Sequence, residues 1–189
     1  MSFNSVCKSK LARGIAIMAF WGFGWQPIPA LANVWRADLP QAKVVGSGDL
    51  RWLGLRIYTA RLWSESPRLP AAWASGVPFA LELTYHRSIS RAQFVSTSSD
   101  EIARLLGPRY DEATRQRWEG LMQRAFTDVE PGQQLIGVFR PGVGCTFYSA
   151  ERQLAEIRDP QFAEAFFAIW LDPRTKDQGL RAKLLGAAP

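Results

Sequence analysis

Alternation of apolar and polar positions marks the strands of this chain, and helical spacing marks the rest. Residues 43–48, Lys-Val-Val-Gly-Ser-Gly, read as a short strand that runs into a turn. Residues 52–63 are rich in strand formers and read as one strand. Its alternation sends Leu55, Ile57 and Thr59 one way and Arg56, Tyr58 and Leu62 the other. The stretch 79–86 repeats the pattern, with Leu81, Leu83 and Tyr85 on one face and Ala80, Glu82, Thr84 and His86 on the other. Two helices follow, 91–106 behind the N-cap candidate Ser90 and 111–126 opened by Asp111. Segments 134–140, 144–148 and 153–157 read as three antiparallel strands joined by Pro141-Gly142 and Ser149-Ala-Glu151. Asp159 caps a further helix with Pro160 in its first position, and a last amphipathic helix covers 178–185. Strands and helices are segregated rather than alternating, which predicts an α+β fold with an antiparallel sheet.

The first 32 residues have a different pattern. Lys8, Lys10 and Arg13 precede an apolar run, Gly14 to Trp25, and Ala30-Leu31-Ala32 follows it. A basic start, a short apolar run and an A-x-A site predict a signal peptide cleaved after Ala32. The run is shorter than the roughly 20 residues that span a bilayer. A periplasmic domain, 33–189, is expected, with no stable membrane span in the mature protein. Removal of the leader leaves twenty basic residues against 17 acidic ones, so the net charge falls from +6 to +3. Those charges are interspersed, which argues against nucleic acid as a partner.

Site chemistry is sparse. After cleavage one cysteine remains, Cys145, so no intramolecular disulfide is expected. One Cys and one His, His86, cannot build a four-ligand zinc site. Haem ligation through His86 is an alternative, because one axial histidine can suffice; otherwise no cofactor is expected. No phosphate loop or nucleophile elbow is present.

Three blocks carry a family resemblance: Gly46-x-Gly48…Arg56-Ile57-Tyr58-x-x-x-Leu62-Trp63, Glu130-Pro-Gly132…Gly142-x-Gly144-Cys-Thr, and Ile157-x-Asp159…Phe162…Trp170-Leu171…Leu184-Leu-Gly186. Together they run over nearly all of 43–186, and with the leader they resemble chalcone isomerase-like proteins in the form of exported bacterial members. The resemblance implies an open-faced β-sandwich: a large antiparallel sheet, helices on one face, and a ligand cleft between the layers. Plant enzymes of the family use an Arg, a Thr in the first block, and a Tyr and an Asn on the middle helices. Here the Thr position falls on Tyr58, and the middle helices offer Tyr110 but no Asn. Isomerase activity is therefore not expected. Plastid fatty-acid-binding relatives resemble this chain more closely across Arg56 to Trp63, and in them a Tyr and an upstream Arg hold the ligand carboxylate. The resemblance makes Tyr58 and Arg51 the ligand-binding candidates. Simple alternation puts Arg51 and Tyr58 on opposite faces, which a hairpin or bulge at Gly54 would correct; Arg56 is the rival arginine. The expected ligand is an apolar small molecule with a carboxylate or ketone head. An active isomerase or lyase with altered residues, and a structural protein with a filled cleft, stay open as alternatives.

Overall fold

The computed structural model describes residues 34–186; the expected leader lies outside them. Six strands form one antiparallel sheet in chain order: β1 (Lys43–Trp52), β2 (Leu55–Ser64), β3 (Phe79–Tyr85), β4 (Gln134–Arg140), β5 (Gly144–Tyr148) and β6 (Gln153–Ile157). Helices α1 (Arg91–Leu106) and α2 (Glu112–Ala125) lie between β3 and β4, and α3 (Pro160–Leu171) and α4 (Gln178–Leu184) follow β6. The architecture is the α+β open-faced sandwich expected.

The helix starts are set locally. The Ser90 hydroxyl accepts from the Gln93 amide while the Gln93 side chain reaches back to the Ser90 amide, a reciprocal cap. Asp111, Asp159 and Asp177 accept from the amides of Thr114, Phe162 and Leu180.

The main core lies between the sheet and the helices. Phe162, Phe166, Phe167 and Trp170 on α3 interleave with Phe79, Phe139 and Phe147 from the sheet. Many of these ring pairs are edge-to-face, the arrangement the ring quadrupole favours. The opposite sheet face is half covered. Trp35, Leu39 and Ala42 fold over Ala80, Ile136 and Val138. Arg36 lies over the rings of Trp35 and Trp63, and Arg140 pairs with Asp38 at 2.8 Å. Beside that cover, the face carries polar groups in mutual contact. Buried Glu82 accepts from Arg61, Trp63 and Gln134.

Two features of the first hairpin differ from expectation. The strand expected over 52–63 is broken by a two-residue turn, Leu53-Gly54, with Trp52 and Leu55 as the closing pair. Both turn residues have positive φ, 50° at Leu53 and 79° at Gly54. Glycine adopts that conformation freely, but leucine does not, so the sequence hides the turn inside an apolar stretch. Second, Gly46-Ser47-Gly48 is not a turn, and β1 continues through it to Trp52. The glycines let α4 lie directly on the strand. A Cβ at Gly46 would sit 2.0 Å from the Lys183 carbonyl oxygen and 2.6 Å from that of Leu184.

Candidate functional site

Between the sheet and helices α1, α3 and α4 lies a cleft of ≈ 700 Å³. Its walls are mainly apolar, with Leu50 and Ile57 from the first hairpin, Phe94 from α1, and Ile169 and Leu180 from α3 and α4. The size and apolar lining suit a small-molecule site, for which about 300–1,000 Å³ is usual. A second groove of ≈ 540 Å³, between residues 71–74 and helices α2 and α3, is more polar and is ringed by Arg109, Glu164, Asp172 and Arg174.

Arg51 and Tyr58 both line the cleft. The hairpin turn at Leu53-Gly54 folds Arg51 back beside β2, and a bulge at Ile57 shifts the register there. Leu50 pairs with Tyr58 and Arg51 with Arg56, so Ile57 is the extra residue of β2. The extra residue resets the alternation. Ile57 therefore shares the cleft with Tyr58, against the face expected for it. Arg56 is turned out of the cleft; its side chain is about half exposed and lies 3.7 Å from Asp49. Of the two candidate arginines, Arg51 is the one on the cleft wall. It is also largely exposed, at 60 %, and lies 3.6 Å from the same Asp49 carboxylate. An exposed pair of this kind holds its partners weakly.

The sequence did not single out Tyr85, although its place beside Leu81 and Leu83 gave the correct face. Tyr85 and Tyr58 are cross-strand partners whose rings meet edge-to-face at 5.7 Å. The Tyr58 oxygen accepts from Trp170 Nε1 at 2.9 Å, which leaves its own O–H to donate. The Tyr85 hydroxyl is buried and has no hydrogen-bond partner among the described residues. Burial pushes both phenols well above their ordinary pKa, and for Tyr58 the Trp170 bond only partly offsets this. Both therefore stay protonated across the physiological range. The cleft thus presents two phenolic donors, while the Arg51 guanidinium sits at its rim, turned toward Asp49 on the Thr59 side of the hairpin. The α1 side adds Thr97, Ser98 and Glu101, the last already paired with Arg104 at 3.0 Å and with Lys176.

Other candidates lie elsewhere. Tyr110 meets Ser99 at 3.1 Å and packs on Trp118, so it does not converge with Arg51 and Tyr58. Thr59 points to the opposite sheet face, donating to Asp49 at 2.7 Å and meeting His86 Nε2 at 2.9 Å. The Thr59 hydrogen bond, above all, and the nearby Arg56 and Arg51 hold the Asp49 carboxyl below its usual range, against the opposing effect of burial. His86 is thus engaged on the face away from the cleft. Cys145 is buried in β5, and burial raises its thiol pKa strongly. No cluster of three or more potential metal ligands occurs among the described residues.

A six-stranded antiparallel sheet with helices on one face and an apolar cleft between the layers defines the class of open-faced sandwiches. The model of chalcone isomerase-like proteins matches residues 44–186, and the chain belongs to that family. Among solved structures, a fatty-acid binding protein of Arabidopsis thaliana is similar, with a TM-score of 0.59 and 11 % identity. The match covers 77 % of this chain and 87 % of that one, and at this identity it is a likeness of fold. No curated protein matches the sequence.

Proposed function

We propose that this protein binds an apolar carboxylic acid, such as a fatty acid, in the cleft and does not transform it. The observation that carries the reading is a pair of phenols, Tyr85 buried and Tyr58 half-buried. Tyr58 and Tyr85 face each other across two strands in an apolar cleft, each with an O–H that finds no acceptor among the described residues. A buried donor without a partner costs about 1–3 kcal/mol, and a ligand carboxylate or carbonyl relieves that cost. Arg51, at the cleft rim, supplies the countercharge by leaving its weak, exposed contact with Asp49. The fold it shares with the plant fatty-acid binding protein supports the same reading. Native mass spectrometry of protein recovered from its own cell compartment tests it directly. The expected spectrum shows one bound molecule of fatty-acid mass, and a cleft that takes up no carboxylic acid on titration sinks the proposal.

The cleft residues also support a non-catalytic role. The first block supplies Tyr58 rather than a threonine, Thr59 faces away, and Tyr110 is engaged elsewhere. The protein is expected to leave the cyclisation of a hydroxychalcone at its uncatalysed rate. An acceleration of about 10³-fold, small for an enzyme, would show that the site is catalytic after all.

The place of action is proposed from residues 1–32. Fused to a reporter active only outside the cytoplasm, residues 1–40 are expected to export it. Bulky replacements at Ala30 and Ala32 are expected to block processing, and a mature start far from Asn33 would refute the assigned cut.

A further inference from the structure

The tip of the first hairpin has a composition that folding alone does not explain. Six large apolar side chains are exposed among the described residues, and three of them fall within four positions: Trp52 at 66 %, Leu53 at 80 % and Leu55 at 47 %. The tip projects beyond the rest of the sheet. Strand β3 pairs with β2 only as far as Tyr58, with one further bond from the His86 amide to the Ile57 carbonyl, so Trp52–Arg56 form a two-stranded ribbon. Leu53 holds a left-handed φ of 50° that favours Asn or Gly, and its side chain is nearly free of the protein. An exposed leucine at such a position is unfavourable both for the turn and for solvation.

The charges around the ribbon have one dominant sign. Arg51 and Arg56 are cross-strand partners, both reaching toward a single carboxylate, Asp49. Arg87, exposed and next to the His86 that bonds Ile57, makes no ion pair among the described residues. Other carboxylates toward this end are engaged: Glu130 by the Ser88 hydroxyl, Glu101 by Arg104 and Lys176, and Asp177 by the Leu180 amide. An apolar tip ringed by guanidinium groups is complementary to an acyl layer beneath anionic headgroups. Arginine stems also lie along apolar surface while their heads stay in the polar layer.

We propose that the Trp52–Leu55 tip docks this protein onto an anionic lipid surface. Trp52 of the tip and the adjoining Arg51 also line the cleft, so docking sets the cleft beside the bilayer. The docking itself stands on the tip; only the passage of a ligand between bilayer and cleft rests on the function proposed above.

Co-sedimentation with vesicles tests this, using phosphatidylglycerol/phosphatidylethanolamine against phosphatidylcholine. All variants are compared in the same chain form, because the apolar run 14–25 binds lipid by itself wherever it is retained. Wild type is expected to sediment with the anionic vesicles and to be released by salt. The double variant Leu53→Asn, Leu55→Ser is expected to bind them at least about tenfold more weakly. It creates the Asn-Gly pair that two-residue hairpins prefer, so its melting temperature is expected to equal or exceed that of wild type. Neither residue lines the cleft, so fatty-acid binding in vesicle-free solution is expected to be retained. Loss of vesicle binding with retained fatty-acid binding separates this proposal from the cleft function. Arg56→Gln with Arg87→Gln is expected to abolish the preference for anionic lipid. Wild type that ignores vesicles of either kind, or vesicle binding that survives the tip substitutions, overturns the proposal. So does a dimer in sedimentation velocity that the same substitutions dissolve without any vesicle binding, since the tip would then join two copies of the chain.

Discussion

Arg51→Ala weakens the binding of a long-chain carboxylic acid about tenfold or more, while leaving its alcohol analogue nearly unaffected. A hydrogen bond to a charged group contributes about 1.5–3 kcal/mol, and each 1.4 kcal/mol is about tenfold in affinity. The weak, exposed contact with Asp49 holds Arg51 little, and Arg56 remains to neutralise that carboxylate. Arg56→Ala is the control, since Arg56 is turned out of the cleft, and it is expected to leave affinity unchanged. If Arg56→Ala alone abolishes binding, Arg51 is the wrong residue. The tyrosines divide the effect in opposite directions. Tyr85→Phe removes a buried hydroxyl without a partner, so the ligand-free protein gains about 1 kcal/mol. A domain of this size then melts about 2–4 °C higher, yet the ligand is held more weakly. Tyr58→Phe strips the acceptor from Trp170 Nε1, so it lowers both stability and affinity. Isothermal titration and thermal melts with and without ligand separate these cases. A Tyr85→Phe protein that binds as tightly as wild type removes that hydroxyl from the site.

Gly46→Ala is expected to be among the most damaging single-methyl additions in the chain. The new Cβ meets backbone oxygen at 2.0 and 2.6 Å, and backbone cannot rotate away as a side chain does. Overpacking commonly costs about 1–3 kcal/mol and occasionally more; a fixed carbonyl contact puts this case at the upper end. A melting temperature lower by roughly 6–12 °C follows at about 2–4 °C per kcal/mol. Gly48→Ala meets the ends of the Leu180 and Lys183 side chains instead, at 2.9 and 3.1 Å, and those can shift. Its effect is expected to be about a third as large. Because α4 carries Leu180 on the cleft wall, Gly46→Ala also impairs ligand binding. Equal melting temperatures for the two variants would show that α4 is not seated through Gly46.

This glycine pair shows where sequence reasoning reaches its limit. Ser90, Asp111 and Asp159 announce their helices because a cap is decided within about four residues. The faces of β3 are legible because a strand has a period of two. Gly46 is ambiguous in the sequence because its reason is a helix at the far end of the chain; locally, Gly-Ser-Gly reads as a turn. The turn at Leu53 was hidden for the converse reason, a residue placed against its own backbone preference. Tyr58 and Arg51 came from resemblance, and a bulge at Ile57 that no local signal marks turns the rival Arg56 off the Tyr58 face. Tyr85 emerges as a site residue only when its hydroxyl is seen without a partner.

The first and last strands of the sheet do not pair with each other, so it stays open and keeps two free edges, β1 and β6. Free edges invite another chain to add a strand and so to build aggregates. Here each edge is a poor template. Along β1 the ladder shifts register after Val44, and α4 presses on Gly46 and Gly48. Strand β6 offers only five residues, shifts register near Phe147 and Tyr148, and ends beside the exposed Glu156–Arg158 ion pair. Neither border thus presents a straight, uncharged row of backbone groups long enough to copy.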